Sequence, residues 1–222
     1  MIKYTAELQF WINHLAKHGG HFPDGGYRWL MLSLLEADDD TALQGKIVAD
    51  FGCGPQGSLC WTESPARCFG IDVLVPAYLE YFGDDMKNHS MEYVPCTESS
   101  IPLPDNSVDV LFTINSLDHV QNLEVICGEL LRILKPGGLF AGSFNLHEPA
   151  CPTEPQCLDE PLLRQQLFRH LNVKSYRVAL KHSQSTYANF QSGNLIARPN
   201  PNKPCILWVT GEKRFTVKAV QA

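Results

Sequence analysis

Basic charge is scarce in this chain of 222 residues: 18 Lys and Arg stand against 24 Asp and Glu, a formal net charge of -6. The basic residues are scattered and form no stripe that would follow a phosphate backbone, so a nucleic-acid partner is not expected. Long apolar runs are missing too. The longest are about a strand in length, well short of the roughly 20 residues that span a bilayer, and the N-terminus lacks a basic segment followed by an apolar one. The sequence therefore predicts a cytoplasmic protein without membrane insertion. Eight cysteines are present, but no two form a C-x-x-C pair and no Cys/His cluster has metal-ligand spacing. Neither a disulfide framework nor a structural zinc is expected, and no metal site is assigned. The thiols read as small buried hydrophobes, with Cys151 and Cys157, in a Pro-rich loop, the two most open to reaction.

What is present suits one domain with a sizeable core: 44% of the residues are hydrophobic. Residues 3–17 and 27–37 carry apolar side chains at spacings of three and four and read as two leading helices, joined by the turn-rich "HGGHFPDGG". Short apolar runs follow at 46–52, 67–74 and 107–116, each ending in Gly, Asp, Asn or a neighbouring residue, with helix-like segments at 76–88 and 122–135. Strand then helix, repeated, implies right-handed crossovers and a parallel sheet covered on both faces. After "PGGLFAGSFNL" the rhythm changes. A Pro- and Cys-rich loop precedes one helix at 162–171, and residues 173–183 and 204–217 read as two strands with no helix between them, which makes them antiparallel neighbours. The expected division of this single domain is a helical cap (1–44), a core of alternating strands and helices (45–146) and a loop, helix and strand pair (147–222).

The stretch "VADFGCGPQG" places Gly52, Gly54 and Gly57 in a G-x-G-x-x-G pattern directly after the first strand. Such glycines let the backbone turn sharply and bring free N–H groups to an anion. Asp72, about 20 positions on, is placed to pair with ribose hydroxyls. Any cofactor containing an adenosine ribose passes that test, so a nicotinamide dinucleotide remains one reading. Two neighbours weigh against it. Asp50 puts a carboxylate where a pyrophosphate would be repelled and an amine welcomed, and Pro55 removes an N–H donor from the loop.

"VADFGCGPQG", "FGIDVL", "PLPDNSVDVLFTINSLDHV" and "LLRILKPGGLFAGSF", in that order, resemble the class I S-adenosylmethionine-dependent methyltransferases, especially the small-molecule branch, over residues 44–146. The resemblance implies a Rossmann-like, doubly wound α/β fold: a mostly parallel seven-stranded sheet with an antiparallel C-terminal strand and an N-terminal helical cap. It implies S-adenosylmethionine as cofactor and S-adenosylhomocysteine as product. By position, Asp50, Gly52, Cys53 and Gly54 would hold the methionine and ribose part, and Asp72 both ribose hydroxyls. Val73 and Leu74 would lie on the adenine face. Thr97 stands where the family commonly has an acidic residue at the adenine edge, with Glu98 as a substitute. Asn115 and Ser116 would sit near the methionine amine, and Tyr27 would help close over the cofactor. "LKPGG" is expected to stop a helix and turn the chain into the next strand.

Methyl transfer is an in-line displacement in which the cofactor supplies the reactive group and the protein holds donor and acceptor in line. A hydroxyl acceptor would gain from a base. His119, in "SLDHV", is one candidate, with a packing role as the alternative reading. His147, after the fifth strand and beside Glu148, is the other, because ligands of open α/β sheets bind beyond the strands' carboxyl ends. The partner expected is a small-molecule methyl acceptor, with oxygen and nitrogen both open; a relative that binds the cofactor without transferring its methyl group fits the same motifs. Nothing in the sequence sets an oligomeric state.

Overall fold

In the computed structural model, which describes residues 2–23, 26–183 and 185–215, the apolar runs line up as one seven-stranded sheet of order β3-β2-β1-β4-β5-β7-β6. The strands are β1 (Ile47–Phe51), β2 (Arg67–Asp72), β3 (Glu92–Pro95), β4 (Val108–Ile114), β5 (Leu134–Leu146), β6 (Leu171–Leu180) and β7 (Cys205–Lys213). Strands β1 to β5 pair in parallel, and β7 runs antiparallel to both neighbours, β5 and β6. This is the expected doubly wound sheet with its antiparallel C-terminal strand.

Alternation along the strands feeds two apolar layers. Ala49, Phe51 and Leu111 face a layer built with Ile126, Leu130 and Ile133. Those three lie at helical spacing on α4 (Leu123–Ile133), which starts where the Asn122 side chain accepts the Val125 N–H. Val48, Val110 and Phe112 point the other way, toward Leu30, Met31 and Leu34 of α2 (Tyr27–Leu35) and toward Trp208 of β7. A third, smaller cluster joins Tyr78 and Phe82 of α3 (Val75–Met86) to Leu8 and Trp11 of α1 (Ile2–Lys17). That contact lays α1 across the carboxyl end of the sheet.

Several expectations shift. Strand β3 was not visible as an apolar run, because a four-residue edge strand with exposed Glu92 and Pro95 at its ends carries almost no pattern. "LKPGG" is already part of β5: the α4 helix ends at Ile133, and a bulge sets Leu134 opposite Val108 but Leu139 opposite Val110. The left-handed Gly137 (φ 76°) makes this turn within the strand. The second leading helix stops at Leu35, where Glu36 takes a left-handed conformation. The helix read at 162–171 is α5 (Glu160–Gln166) followed by a 3₁₀ turn at Phe168–His170. One short turn, α6 (Ala188–Gln191), lies between β6 and β7, where no helix was expected; it is too short for a crossover, and the pair stays antiparallel. Thr216 and Val217, read as the end of the last strand, and Asp24 and Gly25 of the first turn lie outside the described residues.

Five cysteines are buried, Cys60 is half-buried, and Cys151 and Cys157 are exposed, all as free thiols. Among the described residues no helix is long and apolar enough to cross a membrane.

Phe112 is fully buried at the centre of the sheet. Phe112→Ala should cost about 3–5 kcal/mol in urea unfolding with an unchanged m value; a loss under about 1 kcal/mol would show that the layer between α2 and the sheet is not a packed core.

Candidate active site

The carboxyl ends of β1, β2 and β4 open into a cavity of about 580 Å³, the place where open α/β sheets bind ligands. The glycine loop forms one wall. Gly52 and Gly54 are left-handed (φ 75° and 60°), and a Cβ on either would collide, with Ser116 at the first and with the Trp11 ring at the second. Glycine is required here both by conformation and by close approach. The Ser116 hydroxyl donates to the Phe51 carbonyl at 2.9 Å and meets Thr113 Oγ1 at 2.6 Å. It ties the ends of β1 and β4 together at the cavity wall, which Ser116 also lines.

Asp72 lies at the end of β2 on the cavity wall. Its Oδ2 accepts the Gly54 N–H at 3.1 Å and its Oδ1 the Leu74 N–H at 2.8 Å. Burial pushes its pKa up to about 6, against the lowering effect of those two bonds. Val73 lines the cavity, whereas Leu74 turns into the cluster with Tyr78 and Phe82. Cys53 is likewise buried beneath the loop, with its sulfur facing Gly70. Of the predicted adenine-face pair, only Val73 reaches the cavity.

Asp50 stands behind the loop, 2% exposed. Ser58 Oγ donates to its Oδ2 at 2.5 Å, and its Oδ1 is buried without a partner. Burial, opposed by the Ser58 bond and aided by the charge of Asp72, pushes its pKa up to about 7. Asn115, just past β4, is a left-handed non-glycine residue (φ 51°) on the cavity wall, and its Oδ1 is also buried and unpartnered. Of these two orphaned acceptors only Asn115 Oδ1 belongs to a residue of the cavity wall, where it suits a ligand carrying an amine, while Asp50 stays behind the loop.

Helix α1 closes the cavity. Lys3 Nζ and the Tyr4 hydroxyl donate to Glu98 Oε1 at 2.8 and 2.6 Å, and the Gln121 N–H to Glu98 Oε2 at 3.0 Å. Burial alone would raise the Glu98 pKa, but these bonds outweigh it and hold it low. Thr97 lies on the wall beside it, its hydroxyl engaged locally with Ser99 and Ser100. Tyr27 and Tyr187 complete the far wall.

His119 faces the cavity. Its Nδ1 lies 3.1 Å from Glu7 Oε1, and its Nε2 is 3.9 Å from Glu154 Oε1, beyond hydrogen-bond reach. Burial lowers the pKa of this imidazole, but Glu7, Asp118 and Glu154 together raise it. His147, in contrast, is not brought to the cavity. It is left-handed (φ 62°), its Nδ1 lies 2.7 Å from the Asn200 carbonyl, and neighbouring Glu148 pairs with Lys181 at 2.7 Å. Sequence reasoning missed Glu7, Trp11 and Glu154. They come from a helix and a loop whose placement over the sheet leaves no local pattern.

Asp50 titrates higher in the folded chain than its ordinary value of 3.8, so the stability linked to its protonated form is whole below that value and is lost as pH rises toward about 7. Asp50→Asn should therefore gain stability relative to the parent progressively across that window, reaching about 4 kcal/mol near its upper end, in urea melts. A pH-independent difference would show that Asp50 is charged throughout.

Residues 49–142 match the protein family described as "Methyltransferase domain". A sterol 24-C-methyltransferase of Pneumocystis carinii is 29% identical over 103 residues, 44% of this chain and 27% of that protein. An uncharacterized methyltransferase of Mycobacteroides abscessus is 28% identical over 132 residues, 54% of this chain and 50% of that protein. The matched stretches thus span between a quarter and half of the length of these curated relatives. A chain of the complex between the Haloferax volcanii Trm112 methyltransferase activator and a methyltransferase superposes with a TM-score of 0.65 at 16% identity, covering 96% of this chain and 98% of its own. At that identity the likeness is one of fold. The sheet order, glycine loop and matched sequence together make residues 49–142 similar to a methyltransferase domain, and the fold as a whole similar to that of the superposed chain.

Proposed function

We propose that this chain transfers a methyl group to an oxygen or nitrogen of a small molecule, with His119 as the base that takes the acceptor's proton. The observation that carries this reading is the Glu7–His119 pair on the cavity wall: a carboxylate on Nδ1 fixes the ring and its tautomer, and leaves Nε2 turned to the cavity. S-adenosylmethionine, when bound, supplies an electrophilic methyl group on sulfur. The chain's own residues bind, orient and accept a proton. Asp72 has lone pairs left over from its two backbone bonds for ribose hydroxyls, and Val73 offers an apolar face for adenine. Because Glu98 is already committed to Lys3, Tyr4 and Gln121, Thr97 is the side chain left for the adenine edge. Asn115 Oδ1 is placed for the methionine amine, and Asp50 supports that end from behind the loop.

The scattered basic residues and the enclosure by α1 favour a small acceptor over a nucleic acid. The reaction gains mainly from orientation, with the base adding a further factor.

With an acceptor that turns over, His119→Gln should lower kcat by about 10²–10⁴-fold while leaving cofactor affinity within a few-fold. Glu7→Gln should move the lower limb of the kcat pH profile toward more acid pH, since Glu7 helps hold the His119 pKa above its ordinary value of 6.5. Unchanged kcat in the first variant, or an unmoved profile in the second, would reduce His119 to a packing residue.

A further inference from the structure

The loop between β5 and α5 carries a second cluster of ionisable groups, outside the cofactor-binding residues. Asp118, in the turn after β4, and Glu148 and Glu154, in the loop after β5, bring one carboxylate oxygen each to within 4.8 Å of one another. One facing cation balances this only in part, since Lys181 Nζ lies 2.7 Å from both Glu148 oxygens, and the His119 imidazole also faces the cluster, its Nε2 3.9 Å from Glu154. Asp118 is 4% exposed, and one of its carboxylate oxygens has no partner. A second, independent group converges on it. Asn145, on β5 and also 4% exposed, donates its Nδ2 to Asp118 Oδ2 at 3.3 Å, which turns its own buried, unpartnered Oδ1 away from Asp118. A buried Asp118 oxygen without a partner, next to two further carboxylates, is costly unless something cationic completes it. A half-turn of the Asn145 amide would offer its oxygen to such a cation.

We propose that Asp118, Glu148, Glu154 and Asn145 form a calcium site that clamps the loop after β5 onto the turn after β4. All the donors are oxygens, as a hard cation requires. Their 4.8 Å span is close to twice a calcium–oxygen distance of about 2.3–2.6 Å, and larger than the roughly 4 Å that opposite ligands of magnesium allow. Irregular loop donors also suit the flexible coordination of calcium. The clamp has a mechanical consequence. Glu154 and Thr153 line the cavity, and the Asp118 carbonyl already accepts the Gln156 N–H at 3.1 Å, so an ion here fixes the acceptor-side wall without touching the cofactor residues. Cys/His spacing, the signal on which no metal site was assigned, does not report on such a site.

The Lys181 ammonium sits where it competes with the ion for Glu148, which supplies the discriminating test. Calcium chloride is titrated calorimetrically into the EDTA-treated full chain, with thermal unfolding followed in parallel. One site with a dissociation constant of about 10⁻⁴–10⁻³ M is expected, with a raised Tm. Lys181→Gln should bind about tenfold more tightly, and Asp118→Asn at least about tenfold more weakly. Should Asp118→Asn fail to fold, Lys181→Gln alone decides: a purely structural Lys181–Glu148 ion pair predicts no gain in affinity on its removal. Absence of heat and of any Tm shift in both the parent and Lys181→Gln, or equal affinity in all variants, would overturn the site. None of these readouts depends on methyl transfer.

Discussion

The cavity depends first on the Asp72 carboxylate. One oxygen holds the Gly54 N–H and the other the Leu74 N–H, so a single side chain at the end of β2 shapes the glycine loop after β1 and the entry to α3. Each carboxylate oxygen has about two acceptor positions, and these backbone bonds occupy only half of them. The group that builds the loop therefore keeps capacity for a ligand. The positive φ angles of Gly52 and Gly54, and the contacts that forbid a Cβ at either, follow from drawing the loop this close to Asp72, Ser116 and Trp11.

The second constraint is the clasp of α1. Trp11 seals the loop, Glu7 fixes His119, and Lys3 and Tyr4 converge on Glu98. The carboxylate of Glu98, beside the Thr97 position where the family resemblance looks for an adenine partner, is a latch for the covering helix. The same helix that walls the cavity also carries Glu7, the partner of His119, so the cover and the proposed base meet in one element.

Most of the sheet was legible because buried parallel strands are continuous apolar runs and the helices between them have a clean period. The antiparallel ending was legible from the lack of a crossover-length helix between β6 and β7. Where reading failed, the cause is physical. The four residues of β3 are held by pairing with β2 rather than by their own apolar pattern, and the bulge at the start of β5 absorbs "LKPGG" into the strand. In the site, Gly52, Gly54, Asp72, Val73, Asn115 and His119 reach the cavity as the motifs imply, because backbone geometry at strand ends fixes them. Cys53 and Leu74 share those motifs but point into the core, since neighbouring residues at a turn face opposite ways. His147 was placed by its position after β5, and the left-handed turn there carries it to Asn200 instead. Glu7 and Trp11 were out of reach, because nothing local tells which face of an amphipathic helix meets a cavity.

The central claim is that the glycine loop, with a buried carboxylate behind it and a closing helix above it, receives an amine-bearing adenosyl cofactor and no dinucleotide. Calorimetric titration of the full chain with S-adenosylhomocysteine, and separately with NAD, tests it most directly. The account predicts one S-adenosylhomocysteine bound per chain and no heat from NAD at millimolar concentration; binding of NAD, or of neither, would contradict it.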